Sequence, residues 1–275
     1  MKPPRFDYLR AESLDEVHDA LGEDGDEARV IAGGQSLVPM LSMRLASPKL
    51  LIDIMHLPQL AGVERDNGRL RIGAAVTQAA LLARPALADE QPLLAAALPW
   101  VGHAQTRSRG TICGSVAHAD PSAEIPLALL ALDGAIELSS RRGRRSVPAR
   151  DFFTGLMSTA RHDDEMIEAV TFPTRRPGEG HAFREYGRRH GDFAIIACAA
   201  IARDRGIRFA VGGVADVPTA RDLPDLTDAA LDDALDAFAD ELDAADDLHA
   251  TAAYRRGLVR RLGRQTIAEA RRCRA

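Results

Sequence analysis

The chain passes from a short apolar run into a helical pattern through the stretch Ala32-Gly33-Gly34-Gln35-Ser36-Leu37. Residues 29–32 predict a short buried strand, and the apolar residues of 37–45 fall on one face of a helix that Ser36 could cap. Glycines let backbone N–H groups approach a ligand closely, and a hydroxyl at a helix start favours a phosphate. The stretch is neither G-x-G-x-x-G nor a Walker lysine loop, and alone it is more typical of an ordinary tight turn with a cap.

A second glycine-containing stretch reads Arg109-Gly110-Thr111-Ile112-Cys113-Gly114-Ser115-Val116-Ala117-His118-Ala119-Asp120-Pro121. Its hydroxyls and main-chain amides suit a pyrophosphate, and the carboxylate of Asp120 can accept hydrogen bonds from sugar or ribityl hydroxyls. A long glycine-bearing loop inside a compact domain is usually functional. Together with residues 32–37, this loop predicts a two-sided clamp for a dinucleotide.

The composition excludes several other classes of protein. A net charge of -5 over 275 residues gives no general field for nucleic acid, and 46% hydrophobic residues argue against disorder. The three cysteines are far apart without a C-x-x-C pair, so we predict no iron–sulfur cluster, zinc site or disulfide scaffold in this chain. No apolar run approaches the roughly 20 residues of a membrane helix, and the first residues do not resemble a signal peptide. We therefore expect a cytoplasmic protein.

The pattern of short helices and strands predicts an α+β fold. Prolines and glycines at 173–180 indicate a boundary between a first domain, residues 1–175, and a second domain, residues 180–275. Beyond the boundary, strand patterns predict an antiparallel sheet, followed by an acidic helix and an arginine-rich helix. Their charged faces are expected to be solvated, or the arginine face to meet a partner subunit.

Neither a metal site nor a catalytic residue is predicted. His103, His118, Asp120 and Glu124 are near one another in sequence, but their spacing matches no defined set of metal ligands. No Ser/His/Asp arrangement and no paired carboxylate site stands out. Any redox chemistry must then use an organic cofactor or a metal that a partner holds.

Five motifs follow one another in an order that is specific to one family. They are residues 32–40, Arg44 through Pro48 to 51–54, residues 109–121, Asp151-Phe152-Phe153, and Arg189-His190-Gly191-Asp192-Phe193-Ala194. In this order they resemble the FAD-binding medium subunit of the molybdenum hydroxylases, the family that contains carbon monoxide dehydrogenase and xanthine dehydrogenase. The resemblance runs from Phe6 to the C-terminal helix.

The resemblance implies a two-part FAD-binding domain of the vanillyl-alcohol-oxidase/PCMH-like type, with subdomains of about 1–56 and 57–175. A small α+β domain with an antiparallel sheet follows it. It also implies an electron-transfer subunit of a heteromeric molybdenum hydroxylase or dehydrogenase. Such a subunit takes electrons from [2Fe–2S] clusters of a small partner subunit and passes them to an external acceptor. A large partner subunit carries the molybdenum cofactor. The shortage of cysteines in this chain agrees with the presence of the iron–sulfur clusters in a partner subunit.

The family also implies roles for individual residues. The segment that matches 32–36 wraps the FAD pyrophosphate, and the segment that matches 111–115 closes on the other side. Asp120 matches an acid that holds sugar or ribityl hydroxyls, and Phe193 matches an aromatic close to the isoalloxazine, although its position is equally typical of a core aromatic at the start of a strand. The predicted cofactor-binding residues are Ala32, Gly33, Gly34, Gln35, Ser36, Leu37, Thr111, Cys113, Gly114, Ser115, Ala119, Asp120, Ile167 and Phe193.

Two residues depart from the family pattern. Cys113 stands where relatives often have glycine, so we expect it to contribute its main-chain amide, and an inert thiol is favoured over a functional one. Gln35 stands where relatives sometimes carry histidine, and glutamine cannot form a histidyl–flavin bond, so we expect non-covalent FAD. The alternatives are a self-sufficient FAD-dependent oxidase or dehydrogenase of a small molecule, a non-catalytic flavin-binding module, and an interaction protein without FAD.

Overall fold

The computed structural model describes residues 2–274 and begins with a small parallel sheet. Three strands pair in the order β1-β3-β2, and two helices connect them. The first helix begins as its sequence predicts, since the hydroxyl of Ser13 accepts a hydrogen bond from the amide of Glu16 at 3.2 Å. In chain order these elements are β1 (Asp7–Arg10), α1 (Leu14–Asp24), β2 (Ala28–Ile31), α2 (Leu37–Met43) and β3 (Leu50–Asp53).

The next part of the chain forms a five-stranded antiparallel sheet with short helices and a small hairpin. Asn67 and Gly68 both have positive φ in the first turn of this sheet, as the Asn-Gly pair predicts. The strands are β4 (Val63–Asp66), β5 (Arg69–Gly73), β6 (Ala135–Ser140), β7 (Gly143–Pro148), β8 (Phe153–Gly155), β9 (Ser158–Thr159) and β10 (Met166–Pro173). The helices are α3 (Gln78–Leu82), α4 (Leu87–Glu90), α5 (Pro92–Ala97), α6 (Ala104–Arg109), α7 (Ile112–His118), α8 (Glu124–Ala131) and α9 (Ala149–Phe152). The sheet order is β4-β5-β10-β6-β7, and β8 pairs with β9.

The last hundred residues form the predicted antiparallel sheet, followed by two helices. The sheet has the simple order β11-β12-β13-β14, so each strand pairs with its neighbour in sequence. The sequence did not predict the fourth strand, because β14 is an edge strand with mostly polar residues and has no apolar alternation. The elements are β11 (Gly180–Tyr186), β12 (Ile196–Arg203), β13 (Gly206–Gly212), β14 (Thr219–Pro224), α10 (Asp228–Glu241) and α11 (Ala252–Arg272).

The C-terminal sheet is covered on both faces. Along β12, Ala199 and Ile201 pack into the core of the first part of the chain, while Cys198 and Ala200 pack against the core formed with α10 and α11. Because alternate side chains of a strand point to opposite faces, a strand buried on both faces is apolar throughout. The sheet thus joins the two cores, and the predicted α+β fold class is confirmed.

The two charged helices at the end of the chain lie against each other. Arg260 donates to Asp240 at 2.6 Å and Arg264 pairs with Asp232, so the arginine face of α11 meets the acidic face of α10. The expectation that both faces are simply solvated is therefore incomplete, since these opposite charges pair at the solvent edge. No helix within residues 2–274 combines the length and apolar character that crossing a membrane requires.

Candidate functional site

A cleft of about 700 Å³ opens where the parallel sheet, the second glycine-containing loop and the C-terminal part of the chain meet. Sites for small molecules and cofactors commonly have volumes of about 300–1,000 Å³. One wall comes from β2 and residues 32–37, and another from residues 110–118. The β8–β9 hairpin and the turn at 191–193 complete the lining.

The first glycine-containing loop packs directly against the second. A Cβ on Gly33 would overlap the carbonyl group of Arg109 and would lie 2.9 Å from Cα of Gly110. Gly34 has φ of 71°, a left-handed conformation that favours glycine. The side chain of Ser36 makes no capping hydrogen bond to α2, so the predicted cap is wrong. Glycine at 33 is therefore required by loop-to-loop packing.

The second loop is held near its start by two backbone hydrogen bonds. The amide of Ile112 donates to the carbonyl of Val76 at 3.2 Å, and the amide of Gln78 donates to the carbonyl of Gly110 at 2.8 Å. The hydroxyl of Thr111 accepts from the amide of Gly114 at 2.9 Å and begins α7. A Cβ on Gly114 would lie 2.7 Å from that hydroxyl, so the cap requires glycine there. These bonds fix the wall of the cleft before any ligand binds.

The thiol of Cys113 lies in an environment that makes it unreactive. Cys113 is buried, its Sγ lies 3.5 Å from the carbonyl oxygen of Ile72, and burial raises the pKa of the thiol. A protonated, buried thiol is a poor nucleophile. The inert thiol favoured by sequence analysis agrees with this geometry, and Cys113 has the ordinary backbone of a helix.

The structure brings most of the predicted residues together. Those that line the cleft are Ala32, Gly33, Gly34, Gln35, Ser36, Leu37, Thr111, Cys113, Gly114, Ser115, Ile167 and Phe193. Ala119 and Asp120 lie outside the lining. Ala119 ends α7 in a left-handed conformation, with φ of 54°, and Oδ1 of Asp120 accepts a hydrogen bond from the amide of Ser122 at 2.8 Å. Asp120 therefore shapes the turn that follows α7.

Phe193 does not belong to a hydrophobic core. It is 62% exposed, it lies three residues before the start of β12, and it lines the cleft. The turn before it packs tightly, because a Cβ on Gly191 would lie 3.0 Å from the carbonyl oxygen of Gly102. The alternative of a core aromatic is excluded, and an exposed ring is left at the edge of the cleft.

Sequence analysis missed several polar residues of the cleft. Arg29 and Arg161 both line it, and burial, with the charge of Arg29 as a second cause, lowers the pKa of Arg161. Gln78 is 4% exposed, and its Oε1 is buried without a hydrogen-bond partner. These residues are far apart in the sequence and belong to no common motif. Strand pairing and helix docking bring them to the cleft. Within residues 2–274 no cluster of His, Cys, Asp and Glu could hold a metal ion.

This arrangement fits FAD. The guanidinium groups of Arg29 and Arg161 line the cleft and can donate to a pyrophosphate, and the uncommitted hydroxyl of Ser36 can also donate to it. The orphaned Oε1 of Gln78 requires a donor, which a ribityl hydroxyl or the ring N–H of a flavin can provide. Close packing at Gly33 brings both loops to one cavity.

Comparison with known proteins agrees with the geometry. Residues 4–175 match the family described as the FAD binding domain in molybdopterin dehydrogenase. Residues 181–270 match the family described as the CO dehydrogenase flavoprotein C-terminal domain. The first match alone covers more than half of the chain.

Similar proteins match over most of their length. The nicotine 6-hydroxylase medium subunit of Paenarthrobacter nicotinovorans is 40% identical, over 98% of this chain and 99% of that protein. The carbon monoxide dehydrogenase medium chain of Hydrogenophaga pseudoflava is 37% identical, over 80% of this chain and 78% of that protein. A solved carbon monoxide dehydrogenase from Hydrogenophaga pseudoflava, which lacks the Mo-pyranopterin moiety of the molybdenum cofactor, superposes with a TM-score of 0.95, 33% identity and full coverage of both chains. This chain therefore belongs to the family of FAD-binding medium subunits of the molybdenum hydroxylases.

Proposed function

We propose that this chain binds FAD non-covalently in the cleft and serves as the electron-transfer subunit of a heteromeric molybdenum hydroxylase or dehydrogenase. It receives electrons from [2Fe–2S] clusters of a small partner subunit and delivers them to an external acceptor. A large partner subunit carries the molybdenum cofactor. We also propose a cytoplasmic location and a division into domains 1–175, with subdomains about 1–56 and 57–175, and 180–275.

One observation carries the proposal: the two glycine-containing loops close on each other at Gly33 and face one cavity. When bound, FAD supplies one- and two-electron transfer chemistry. Residues 32–37 and 111–115 would hold its pyrophosphate, with Arg29 and Arg161 balancing the negative charge. Phe193 would cover an aromatic part of the cofactor and exclude water from it. In this proposal the residues of this chain bind FAD and orient it, and the cofactor carries out the electron transfer.

The test uses the purified chain, alone and assembled with its molybdenum and iron–sulfur partner subunits. We expect the chain alone to hold one FAD and to leave it oxidised when an organic substrate of the complex is added. In the assembled complex the same substrate should bleach the flavin absorbance. Bleaching in the chain alone would favour a self-sufficient oxidase, and an absence of FAD from both samples would refute the proposal.

The mode of FAD attachment can be tested separately. Because Gln35 offers no imidazole for a covalent bond, acid precipitation should release all FAD into the supernatant. The absorbance spectrum of the washed pellet provides the measurement. Yellow colour that stays on the denatured chain would contradict non-covalent binding.

A further inference from the structure

A second, smaller cavity lies beside the cleft and shares part of its wall. Its volume is about 360 Å³, roughly half that of the cleft, and it is formed by the turn before β12 and the loop at 247–249. Gly191, Asp192 and Phe193 line both cavities. One turn of the chain therefore separates the second cavity from the cleft that we propose binds FAD.

A buried arginine holds the two sides of the second cavity. Arg255 of α11 lines it, is 5% exposed, and donates from Nη1 to the carbonyl of Ile195 at 2.6 Å. Its Nη2 donates to Oδ2 of Asp247 at 2.6 Å, and Oδ1 of the same carboxylate accepts a hydrogen bond from the amide of His249 at 2.8 Å. One guanidinium group thus ties the turn to the loop, which makes the cavity a part of the fold.

Other side chains of the second cavity can donate hydrogen bonds to a ligand. The guanidinium group of Arg188 and the imidazole ring of His249 line it, and neither forms a hydrogen bond or an ion pair within residues 2–274. The hydroxyl of Ser122 is a further donor, and residues 193–195 supply an aromatic and aliphatic wall. A planar ring with carbonyl oxygens at its edge matches this combination of donors and apolar surface.

The charge and the size of the second cavity disfavour a nicotinamide dinucleotide. Its lining contains two arginines and two aspartates, which are Arg188, Arg255, Asp192 and Asp247. Their charges cancel, so the cavity has no excess of positive charge for a pyrophosphate. It also has only about half the volume of the cleft proposed for FAD, which is itself a dinucleotide. A neutral acceptor of one or two rings is therefore favoured.

We infer that the second cavity binds the external electron acceptor and that this acceptor is a quinone. The inference rests on the proposed binding of FAD in the adjoining cleft. The quinone ring lies against Phe193, and its carbonyl oxygens accept hydrogen bonds from Arg188 and His249. The quinone gains two electrons from the reduced cofactor and two protons from solvent, and it leaves as a hydroquinone. The cofactor is oxidised by the loss of those electrons and releases its own protons to solvent.

Reoxidation of the FAD-loaded chain tests this inference. The flavin is reduced chemically without oxygen and then mixed with menadione, a quinone of two rings, while the flavin absorbance is followed. The variants are Arg188→Ala and His249→Ala, each of which removes one hydrogen-bond donor. Their controls are Arg189→Ala and Leu248→Ala, which change exposed neighbours that line neither cavity. The absorbance before reduction shows whether FAD is bound.

In the wild type and both controls, the reoxidation rate should rise with menadione concentration to a plateau, because the quinone binds before it reacts. Each donor variant should raise the concentration that gives half of the plateau rate by about 2–10-fold, the effect of one lost hydrogen bond. A wild-type rate without a plateau, or donor variants that match their controls, would overturn the inference and leave the proposed function standing. A plateau with NAD+ in place of menadione would also overturn it. A wild-type chain without flavin absorbance would overturn both.

Discussion

Replacing Gly33 with alanine tests the contact between the two loops. Ordinary van der Waals contact of a Cβ begins at 3.4 Å, but the new Cβ would lie 2.9 Å from Cα of Gly110 and would overlap the Arg109 carbonyl group. Both obstacles are backbone atoms, so no side chain can rotate away. The two loops must separate by more than half an ångström. Overpacking of this kind typically costs about 1–3 kcal/mol.

If the whole cost falls on the arrangement that binds FAD, the dissociation constant rises by a factor of about 5–150, since each 1.4 kcal/mol is tenfold. Titration of the apoprotein with FAD, followed by flavin fluorescence, measures the constant. Gly22→Ala is a matched control, because Gly22 is an exposed residue of helix α1, a Cβ there meets nothing within 4 Å, and alanine favours a helix over glycine. The reasoning is refuted if Gly33→Ala binds FAD as tightly as the control.

Three further predictions concern thiols, the turn after α7 and pH. In the native protein a thiol reagent should modify exposed Cys273 quickly and leave buried Cys113 and Cys198 unmodified; fast reaction of more than one thiol would contradict the structure. Asp120→Ala should lower the free energy of unfolding of the apoprotein by about 1 kcal/mol, because it leaves the amide of the turn without its acceptor, whereas Asp120→Asn should keep most of that stability in denaturant titration. A folded-state pKa of about 8 at Glu185, above its ordinary value of 4.5, stabilises the fold at low pH, and this stability is lost as pH rises through about 8. Glu185→Gln should therefore reduce the fall in Tm between about pH 4.5 and pH 8, and an unchanged fall would show that folding does not raise the pKa of Glu185.

The sequence predicted what depends on local chemistry. Residues 32–37 and 109–121 contain the glycines and hydroxyls that a cofactor loop needs, and both loops face the cleft. The Asn-Gly turn at 67–68 and the cap at Ser13 follow from backbone rules that act over a few residues. The order of the five motifs then identified the family, and the family resemblance predicted the FAD site and the partner subunits, which local rules cannot predict.

What sequence analysis missed depends on contacts between distant residues. Ser36 has the right residue type for a cap, but its backbone adopts a helical conformation and its side chain makes no capping bond. From its neighbours alone Phe193 is equally typical of a core aromatic, and only the family resemblance predicts it near the cofactor; in the structure its ring is exposed and lines the cleft.

The most direct test of the central claim is the position of FAD in an experimental structure of the loaded chain. Density for the pyrophosphate should lie between residues 32–37 and 111–115, with the ring system toward Phe193 and Gln78 Oε1 accepting a hydrogen bond from the cofactor. Density outside this cleft, or FAD that leaves the two loops without contact to it, would contradict the account.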